Sequence, residues 1–355
     1  MKEAIVATPE EADRLPHGAA LVLDPLEGFL DDLGLGAGRL SARPIGGGHS
    51  NLTFLLRRGE DEFVLRRPPR GDLAASANDV LRESRILEAL RSTPVPVPEV
   101  LGRCEDPAVI GADFFLMTRV DGAPINDGLP VEFDDGDAPT RIVDSLIRAL
   151  AGIHAADPQE TGLIDFGRPS GYLGRQLRRF SSLLDENSTR PLPDLEEVGE
   201  WLRECVPVES ETTFVHGDYR LGNLMFRAPT ELTAVLDWEM ATVGDPLADL
   251  GYLTATWASA GDEWNPMNDL SRATAVPGFP GREQLSERYS KATGRSTDNL
   301  LWYQILALWK SAIFLEGSYR RHQEGASSDP FFARLDDGVP ALARIAGRWI
   351  SLLSV

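Results

Sequence analysis

Residues 214–226, Phe-Val-His-Gly-Asp-Tyr-Arg-Leu-Gly-Asn-Leu-Met-Phe, constrain what this chain can fold into more than any other stretch. A short apolar run ends there at the turn that carries Asp218, and a second apolar run, residues 234–236, ends at Asp237. An unpaired carboxylate at the end of a buried strand is costly, so stability alone does not favour this arrangement. The sequence therefore predicts two strand-to-turn junctions whose carboxylates serve chemistry.

The order of the polar groups at these junctions indicates which chemistry. Asp218, Asn223 and Asp237 follow the pattern H-x-D-x-x-x-x-N with a further Asp one short hairpin later. In such a loop the first Asp faces the acceptor hydroxyl, the Asn binds Mg²⁺, and the second Asp holds the metal against the nucleotide phosphates. The spacing predicts a phosphoryl-transfer centre that uses Mg²⁺ and ATP or another nucleoside triphosphate.

Length and composition limit the alternatives. A chain of 355 residues is too long for one compact core and suits two lobes. The formal charge of −20 argues against a nucleic-acid partner, whose backbone requires a basic surface. No apolar run approaches the ~20 residues that span a bilayer, and no signal-peptide core follows the N-terminus. The two cysteines, Cys104 and Cys205, form no disulfide framework, so we expect a cytoplasmic protein.

A glycine-rich turn precedes the predicted centre by more than a hundred residues. Glycines let backbone amides approach an anion closely, although the same residues also make ordinary hairpin turns. The position of this turn upstream of the Asp218 loop favours phosphate binding. The predicted phosphate-binding residues are Gly46, Gly47, Gly48, His49, Ser50 and Asn51.

The next strand, residues 62–67, alternates so that Val64 and Arg66 share one face. A small apolar residue beside a cation suits a purine ring and its phosphates; the alternative is an edge strand with two solvated arginines. The helix that follows places Glu83 within its apolar stripe. A carboxylate there needs a partner, and we predict Arg66, because a Lys–Glu pair of this kind orients phosphates in protein kinases.

The boundary between the lobes is predicted at the end of a buried strand, residues 113–117. Backbone groups around Met117, Thr118 and Val120 could bond an adenine edge there. We predict a nucleotide-binding lobe over residues 1–121, with residues 1–20 poorly ordered, and a catalytic and acceptor-binding lobe over residues 122–355.

The second lobe is predicted to be mainly helical. His154 is interpreted as a core histidine rather than a ligand, Asp245 as a helix cap and Asp249 as a brace for the catalytic loop. A strongly apolar helix is predicted over residues 300–320. Its aromatic residues and Trp264 could line an acceptor cleft, although aromatics at helical spacing more often form core.

With these motifs in view, the chain resembles the aminoglycoside phosphotransferase and choline kinase superfamily of small-molecule kinases. It is most similar to the branch fused to acyl-CoA dehydrogenases in animals, which shares the segments Gly167-Arg168-Pro169 and Gly171-Tyr172-Leu173. The resemblance implies an α+β, two-lobed, protein-kinase-like fold with a small antiparallel sheet in the N-terminal lobe.

The resemblance also implies roles for individual residues. Asp218 would be the catalytic base, Asn223 and Asp237 the Mg²⁺ ligands, and residues 118–120 the adenine hinge. Glu83 would support the phosphate-binding cation. The superfamily usually has a lysine where this chain has Arg66; arginine keeps the charge but adds a planar fork.

The leading hypothesis is therefore an ATP-dependent and Mg²⁺-dependent kinase, monomeric or homodimeric, that phosphorylates a hydroxyl of a small molecule. Aminoglycosides, choline-like amines, sugars and hydroxyacyl-CoA thioesters all stay open as acceptors. The alternatives are a catalytically silent nucleotide-binding protein that acts through partners, and a kinase for macromolecules. The absence of an Ala-Pro-Glu tripeptide after Asp237 counts against a protein substrate.

Overall fold

The chain divides into two compact units, Met1–Asp121 and Gly122–Val355. The computed structural model describes residues 4–16, 18–46, 51–69, 79–133, 136–209, 211–325 and 329–353. Among these residues, no helix is both long enough and apolar enough to cross a lipid bilayer.

The strands of the first unit are β1 (Ile5–Val6), β2 (Leu21–Val22), β3 (Leu40–Pro44), β4 (Leu52–Arg58), β5 (Asp61–Arg67), β6 (Val100–Cys104) and β7 (Phe114–Thr118). The last five form an antiparallel sheet with the order β3-β4-β5-β7-β6. Its helices are α1 (Pro9–Asp13), α2 (Leu23–Asp32), α3 (Val80–Leu90) and α4 (Pro107–Ile110). The prediction that residues 1–20 are poorly ordered is wrong for the described part of this segment, because it contains α1 and β1, and β1 pairs in parallel with β2.

The two faces of β5 have different surroundings because side chains alternate along a strand. Phe63 and Leu65 join a buried cluster with Leu26 and Leu30 of α2. Arg67 lies on this face too, with 3% of its surface exposed, and its Nη1 donates to the carbonyl oxygens of Ala20 and Ile110. The edge-strand alternative for this segment is wrong, since β5 pairs with strands on both sides and its arginines are not solvated.

The second unit is mainly helical. Its helices are α5 (Ala138–Ala155), α6 (Tyr172–Asn187), α7 (Pro193–Glu204), α8 (Leu247–Thr256), α9 (Arg282–Thr293), α10 (Leu300–Gln323), α11 (Pro330–Ala333) and α12 (Leu335–Leu352). Its strands are β8 (Ala123–Pro124), β9 (Thr213–Val215), β10 (Leu224–Arg227), β11 (Glu231–Val235) and β12 (Thr242–Gly244). The predicted α+β class is confirmed.

Helix α10 is the central element of the second unit, with α6, α7, α8 and α12 packed around it. Three aromatic side chains that could have lined an acceptor cleft, Trp302, Tyr303 and Trp309, are at most 4% exposed. Trp309 Nε1 donates to the Leu195 carbonyl and Tyr303 Oη donates to Asp245. These aromatics are core residues of the bundle.

Candidate active site

In the first unit, the structure brings Arg66 and Glu83 together. Arg66 Nε on β5 lies 2.7 Å from Glu83 Oε2 on α3, an ion-pair distance. The Arg66 and Glu83 side chains are 14% and 4% exposed. Glu83 shares its helix face with the buried residues Val80, Leu87 and Leu90. It is the charged member of this apolar stripe, and it contacts Arg66.

The other predicted nucleotide contacts of the first unit are only partly within the described residues. Gly46 has φ +78°, the left-handed region that favours glycine, and Asn51 is buried. The predicted phosphate-binding residues Gly47, Gly48, His49 and Ser50 lie outside the residues that the structure describes.

The predicted adenine contacts lie on β5 and at the C-terminal end of β7. Val64 of β5 pairs with Met117, and both are buried. The Thr118 N–H donates to the carbonyl of Glu99 over 2.9 Å, so this N–H is not available to donate to an adenine edge. Val120 follows the strand and is half-buried.

In the second unit, the Asp218 carboxylate is held beside Asn223. Asn223 Nδ2 donates to Asp218 Oδ2 over 2.8 Å and to the Asp218 carbonyl over 2.9 Å. Arg220 Nε lies 3.6 Å from Asp218 Oδ1. The Asp218 side chain is 22% exposed. An oriented, partly accessible carboxylate of this kind can accept a proton from a bound hydroxyl.

The hairpin β10–β11 brings Asn223 and Asp237 to the same end of the sheet. Leu224 pairs with Val235, and the Leu236 N–H donates to the Asn223 carbonyl over 2.9 Å. Asp237 itself has φ +68°, a conformation that costs a non-glycine residue about 1–3 kcal/mol. Backbone strain of this kind occurs at functional sites, where the surrounding contacts hold the residue in the strained conformation.

The donor set fits a magnesium ion. Asp237 offers a carboxylate, and Asn223 can offer Oδ1 because its Nδ2 is committed to Asp218. Mg²⁺ prefers such oxygen ligands and is usually bound by one or two protein groups together with substrate phosphates and water. Among the described residues there is no group of three or more His, Cys, Asp or Glu side chains placed to hold a metal.

A buried carboxylate outside the loop fixes the backbone before Asp218. Asp249, at the first turn of α8, is 1% exposed and accepts from the backbone N–H groups of His216 and Gly217, each over 2.7 Å. Gly217 has φ +84°, and a Cβ there would lie 2.5 Å from the Met240 carbonyl oxygen. The loop therefore requires glycine at this position and the carboxylate beneath it.

Asp249 is in turn held by His154. His154 Nε2 lies 3.1 Å from Asp249 Oδ2, and Nδ1 lies 2.8 Å from Tyr289 Oη. Burial acts to raise the pKa of Asp249, but hydrogen bonds and positive charge from His154 and the His216 N–H outweigh it, so the pKa lies below its ordinary value. The carboxylate is thus stabilised in its ionised form.

Two side chains beside Asp218, those of Tyr252 and Arg220, were not among the predicted site residues. Burial and the nearby Asp218 carboxylate raise the pKa of Tyr252 well above its ordinary value, so this phenol is neutral. Arg220, the other neighbour, sits inside the loop at a variable position of the pattern. The spacing of Tyr252 after Asp249, three residues along α8, would have placed both on one helix face.

The segments that carried the resemblance pack near this loop. A Cβ on Gly167 would lie 2.6 Å from the backbone nitrogen of Val243 in β12, and one on Gly244 would lie 2.7 Å from the Tyr172 ring. Asp245 accepts from the Leu247 N–H over 2.9 Å, as expected for a cap at the start of α8. Close backbone contacts thus account for both glycines.

Comparison with known proteins shows the family of the chain. The model of the phosphotransferase enzyme family matches residues 41–287. Acyl-CoA dehydrogenase family member 11 of Gallus gallus is 35% identical over 303 residues, which cover 82% of this chain and 38% of that protein. Member 10 of Mus musculus is 34% identical over 318 residues, covering 87% of this chain and 29% of that protein. The chain therefore spans well under half the length of these relatives.

Solved structures show the same fold. A candidate aminoglycoside phosphotransferase from Ralstonia eutropha JMP134 is 31% identical with a TM-score of 0.78, covering 92% of this chain and 97% of that one. A thermostable mutant of aminoglycoside phosphotransferase APH(4)-Ia, in complex with ADP and hygromycin B, has a TM-score of 0.56 at 15% identity and covers 90% and 97%. Choline kinase from Cryptosporidium parvum Iowa II has a TM-score of 0.60 at 11% identity and covers 88% and 90%.

These matches confirm the predicted resemblance, including the branch fused to acyl-CoA dehydrogenases, and the two-lobed kinase-like fold. The structures below 25% identity bear on the fold alone. The chain belongs to the phosphotransferase enzyme family.

Proposed function

We propose that this protein transfers the γ-phosphoryl group of ATP to a hydroxyl of a small molecule, with Asp218 as the base and with Asn223 and Asp237 as Mg²⁺ ligands. The observation that carries the proposal is the contact of Asn223 Nδ2 with Asp218 Oδ2, 2.8 Å. The Asn223 amide orients the Asp218 carboxylate through Nδ2, which leaves Asn223 Oδ1 for a cation. The β10–β11 hairpin places Asp237 at the same end as Asn223.

In the chemical step the protein positions the reacting groups and neutralises charge, and it needs to form no covalent bond itself. Asp218 accepts the proton of the acceptor hydroxyl, whose oxygen bonds to the γ-phosphorus as the bond from phosphorus to the β–γ bridging oxygen breaks and ADP leaves. Bound Mg²⁺ would supply neutralisation of the phosphate charge. Arg220 restrains the Asp218 carboxylate, and Asp249 holds the loop backbone, so the base is oriented before the acceptor arrives.

Nucleotide binding is proposed for the first unit. Arg66 would contact the phosphates, with Glu83 keeping its guanidinium in place. The glycine-rich turn, residues 46–51, would cover the phosphates, and Val64, Met117, Thr118 and Val120 would surround the adenine. The related APH(4)-Ia structure contains ADP, which supports an adenine nucleotide as the donor.

The alternative of a catalytically silent nucleotide-binding protein has less support. A silent protein has no need for the strained φ of +68° at Asp237 or for an Asn223–Asp218 contact next to it. The free cysteines, one buried and one exposed, accord with a reducing cytoplasmic location, which we propose together with a small-molecule acceptor.

The direct test is incubation with γ-labelled ATP, Mg²⁺ and a panel of aminoglycosides, choline-like amines, sugars and hydroxyacyl-CoA thioesters. We expect label transfer to at least one class, and a loss of about 10³-fold in Asp237→Asn, because one charged oxygen ligand of a hard cation is removed. Thermal unfolding of the variant serves as the control for folding. An Asp237→Asn protein with full Mg²⁺-dependent activity would contradict the metal assignment.

A further inference from the structure

The guanidinium of Arg220 carries hydrogen-bond donors that the second unit leaves unused. Only 19% of the Arg220 side chain is exposed. Within the described part of the chain its one polar contact joins Nε to Asp218 Oδ1 over 3.6 Å. This distance exceeds the roughly 2.7–3.2 Å of an N–H···O hydrogen bond. A guanidinium is always charged and can only donate, so a mostly buried one without an acceptor indicates a contact with a bound anion.

The neighbouring Gly222 makes room for this guanidinium. A Cβ on Gly222 would overlap Arg220 Nη1 and Asn126 Oδ1, two side-chain ends that fill the space beside the glycine. Gly222 lies in the short helical turn Leu221–Asn223 and does not have a positive φ, so its backbone conformation alone does not require glycine. The glycine therefore serves the position of the Arg220 side chain next to the loop carboxylate.

The two oxygens of the Asp218 carboxylate are placed for different contacts. Oδ2 accepts from Asn223 Nδ2 over 2.8 Å, whereas the 3.6 Å to Arg220 Nε leaves Oδ1 without a hydrogen bond from the guanidinium. A hydroxyl held by the base lies about 2.6–3.2 Å from it. The atom that this hydroxyl attacks lies roughly 3–3.5 Å further on. A phosphoryl group in that position comes within reach of the Arg220 N–H groups.

We propose that Arg220 is a further catalytic residue, which donates hydrogen bonds to the non-bridging oxygens of the phosphoryl group during its transfer. Negative charge spreads over these oxygens in a loose transition state. A guanidinium can meet two of them with parallel N–H donors, and it keeps all its protons throughout. The inference rests on the proposed kinase function and adds to it a contact with the group transferred, beyond the restraint of Asp218.

The test measures the binding of a transition-state mimic and does not require the acceptor. Calorimetry gives the dissociation constant of the full chain for ADP with Mg²⁺, in the absence and presence of aluminium fluoride, which takes the place of the transferred phosphoryl group. Arg220→Met should weaken binding of the fluoroaluminate complex about 10²-fold, the loss typical for one charge-stabilising donor. ADP binding without fluoroaluminate should be nearly unchanged. Gly222→Ala keeps the charge but displaces the guanidinium, so it should weaken the same complex.

Arg227→Met is the matched control, because Arg227 lies on the adjoining strand β10, is 51% exposed and pairs with Glu231 over 2.7 Å. Both affinities should be unchanged in this variant. If Arg220→Met and the wild type bind the fluoroaluminate complex equally well, the inference is overturned while the proposed kinase function stands. A raised KM for the acceptor as the sole effect would likewise overturn it, since Arg220 would then bind the acceptor instead.

Failure of the proposed function has a separate signature, because a wild-type protein that binds no ADP would overturn that function and this inference together. Arg220→Lys covers the case in which Arg220→Met does not fold, since lysine keeps the charge and loses the planar fork. It should weaken binding of the fluoroaluminate complex less than Arg220→Met. Unchanged affinity for this complex in both Arg220→Lys and Gly222→Ala would contradict a contact between the guanidinium and the phosphoryl group.

Discussion

The two regions that carry the candidate site are held in place by different kinds of contact. In the first unit, a side chain of β5 meets a side chain of α3, Arg66 against Glu83 at 2.7 Å. In the second unit, the loop before Asp218 is held through its backbone, by two N–H groups that donate to Asp249. The first arrangement depends on two regular elements, and the second on a buried carboxylate outside the loop.

This difference determines how each region responds to change. A substitution at Arg66 or Glu83 alters one charged group on a sheet or helix whose own backbone is already satisfied. A substitution that removes the Asp249 carboxylate leaves the N–H groups of His216 and Gly217 without their acceptor, so the loop loses two backbone contacts at once. We therefore expect substitutions at Arg66 or Glu83 to reduce function gradually, and substitutions at the Asp249 support to reduce function together with stability.

The largest effect is expected from Asp218→Asn, which keeps the side-chain size and one acceptor oxygen. The proton of the attacking hydroxyl loses its acceptor, and positioned proton transfer is worth about 10²–10⁴-fold. The loss should fall in kcat, with ATP affinity and melting temperature nearly unchanged. Steady-state kinetics on one acceptor, with calorimetric ATP binding, measure both.

The opposite pattern would show that Asp218 has a structural role only. A carboxylate that merely braces a turn predicts a stability loss of about 1 kcal/mol, with turnover preserved in the folded fraction. A destabilised but fully active Asp218→Asn protein would therefore remove the base from the proposed mechanism.

Asp249→Asn should act mainly on stability. One amide oxygen can still accept from Gly217, but the new NH₂ group faces donors at His216 and His154. We expect a loss of about 3 kcal/mol in the free energy of unfolding, because buried donors lose their acceptor. Urea unfolding measures this loss, and kcat should fall in the same variant.

The pH dependence of unfolding provides the control for Asp249. A folded-state pKa below the unfolded value gives stability that is present above the unfolded pKa and is lost as pH falls through the folded pKa. Wild-type stability should therefore fall more steeply in acid than that of Asp249→Asn, which has no carboxylate to protonate there. If the free energies of unfolding of the two proteins changed in parallel with pH, the hydrogen bonds of the ionised Asp249 carboxylate would contribute nothing to stability.

Sequence patterns predicted the first region better than the second for a physical reason. Helical periodicity placed Glu83 in a buried stripe, and strand alternation placed Arg66 on one face, so their contact followed from regular geometry. The spacing of Asp218, Asn223 and Asp237 likewise predicted a shared end of one hairpin. Their chemical roles stay predictions.

The parts that the sequence did not reveal lie in the loop and its supports. Helical spacing puts Tyr252 on the same face of α8 as Asp249, but its approach to Asp218 depends on how α8 packs against the loop, and Arg220 reaches Asp218 from within an irregular loop. His154 was correctly interpreted as a core residue, but its contact with Asp249 joins helices far apart in sequence. The positive φ of Asp237, +68°, has no signature in the residue types around it.

A smaller effect is expected from the pair in the first unit. Glu83→Ala should raise the KM for ATP, since Arg66 loses the contact that positions it. A double-mutant cycle with Arg66→Ala should give a coupling of about 0.5–3 kcal/mol in kcat/KM, as for residues in contact. Glu88→Ala is a matched control, because Glu88 lies on the same helix and contacts Arg103 instead. Strict additivity would contradict a joint role in nucleotide binding.

The smallest effect is expected from Tyr289→Phe, which asks how far the support of the catalytic loop extends. Tyr289 Oη lies 2.8 Å from His154 Nδ1, and the phenylalanine keeps the packing of the ring while removing this hydrogen bond. The loss should be about 0.5–1.5 kcal/mol in the free energy of unfolding.

A double variant tests whether Tyr289 acts on Asp249 through His154. If it does, the losses from Tyr289→Phe and Asp249→Asn should be less than additive, because Asp249→Asn has already weakened the His154–Asp249 contact that Tyr289 supports. ATP affinity should not change, since Tyr289, His154 and Asp249 all belong to the second unit and the proposed nucleotide contacts to the first. Full additivity would mean that Tyr289 is an ordinary core residue and that the contacts supporting the loop extend no further than His154.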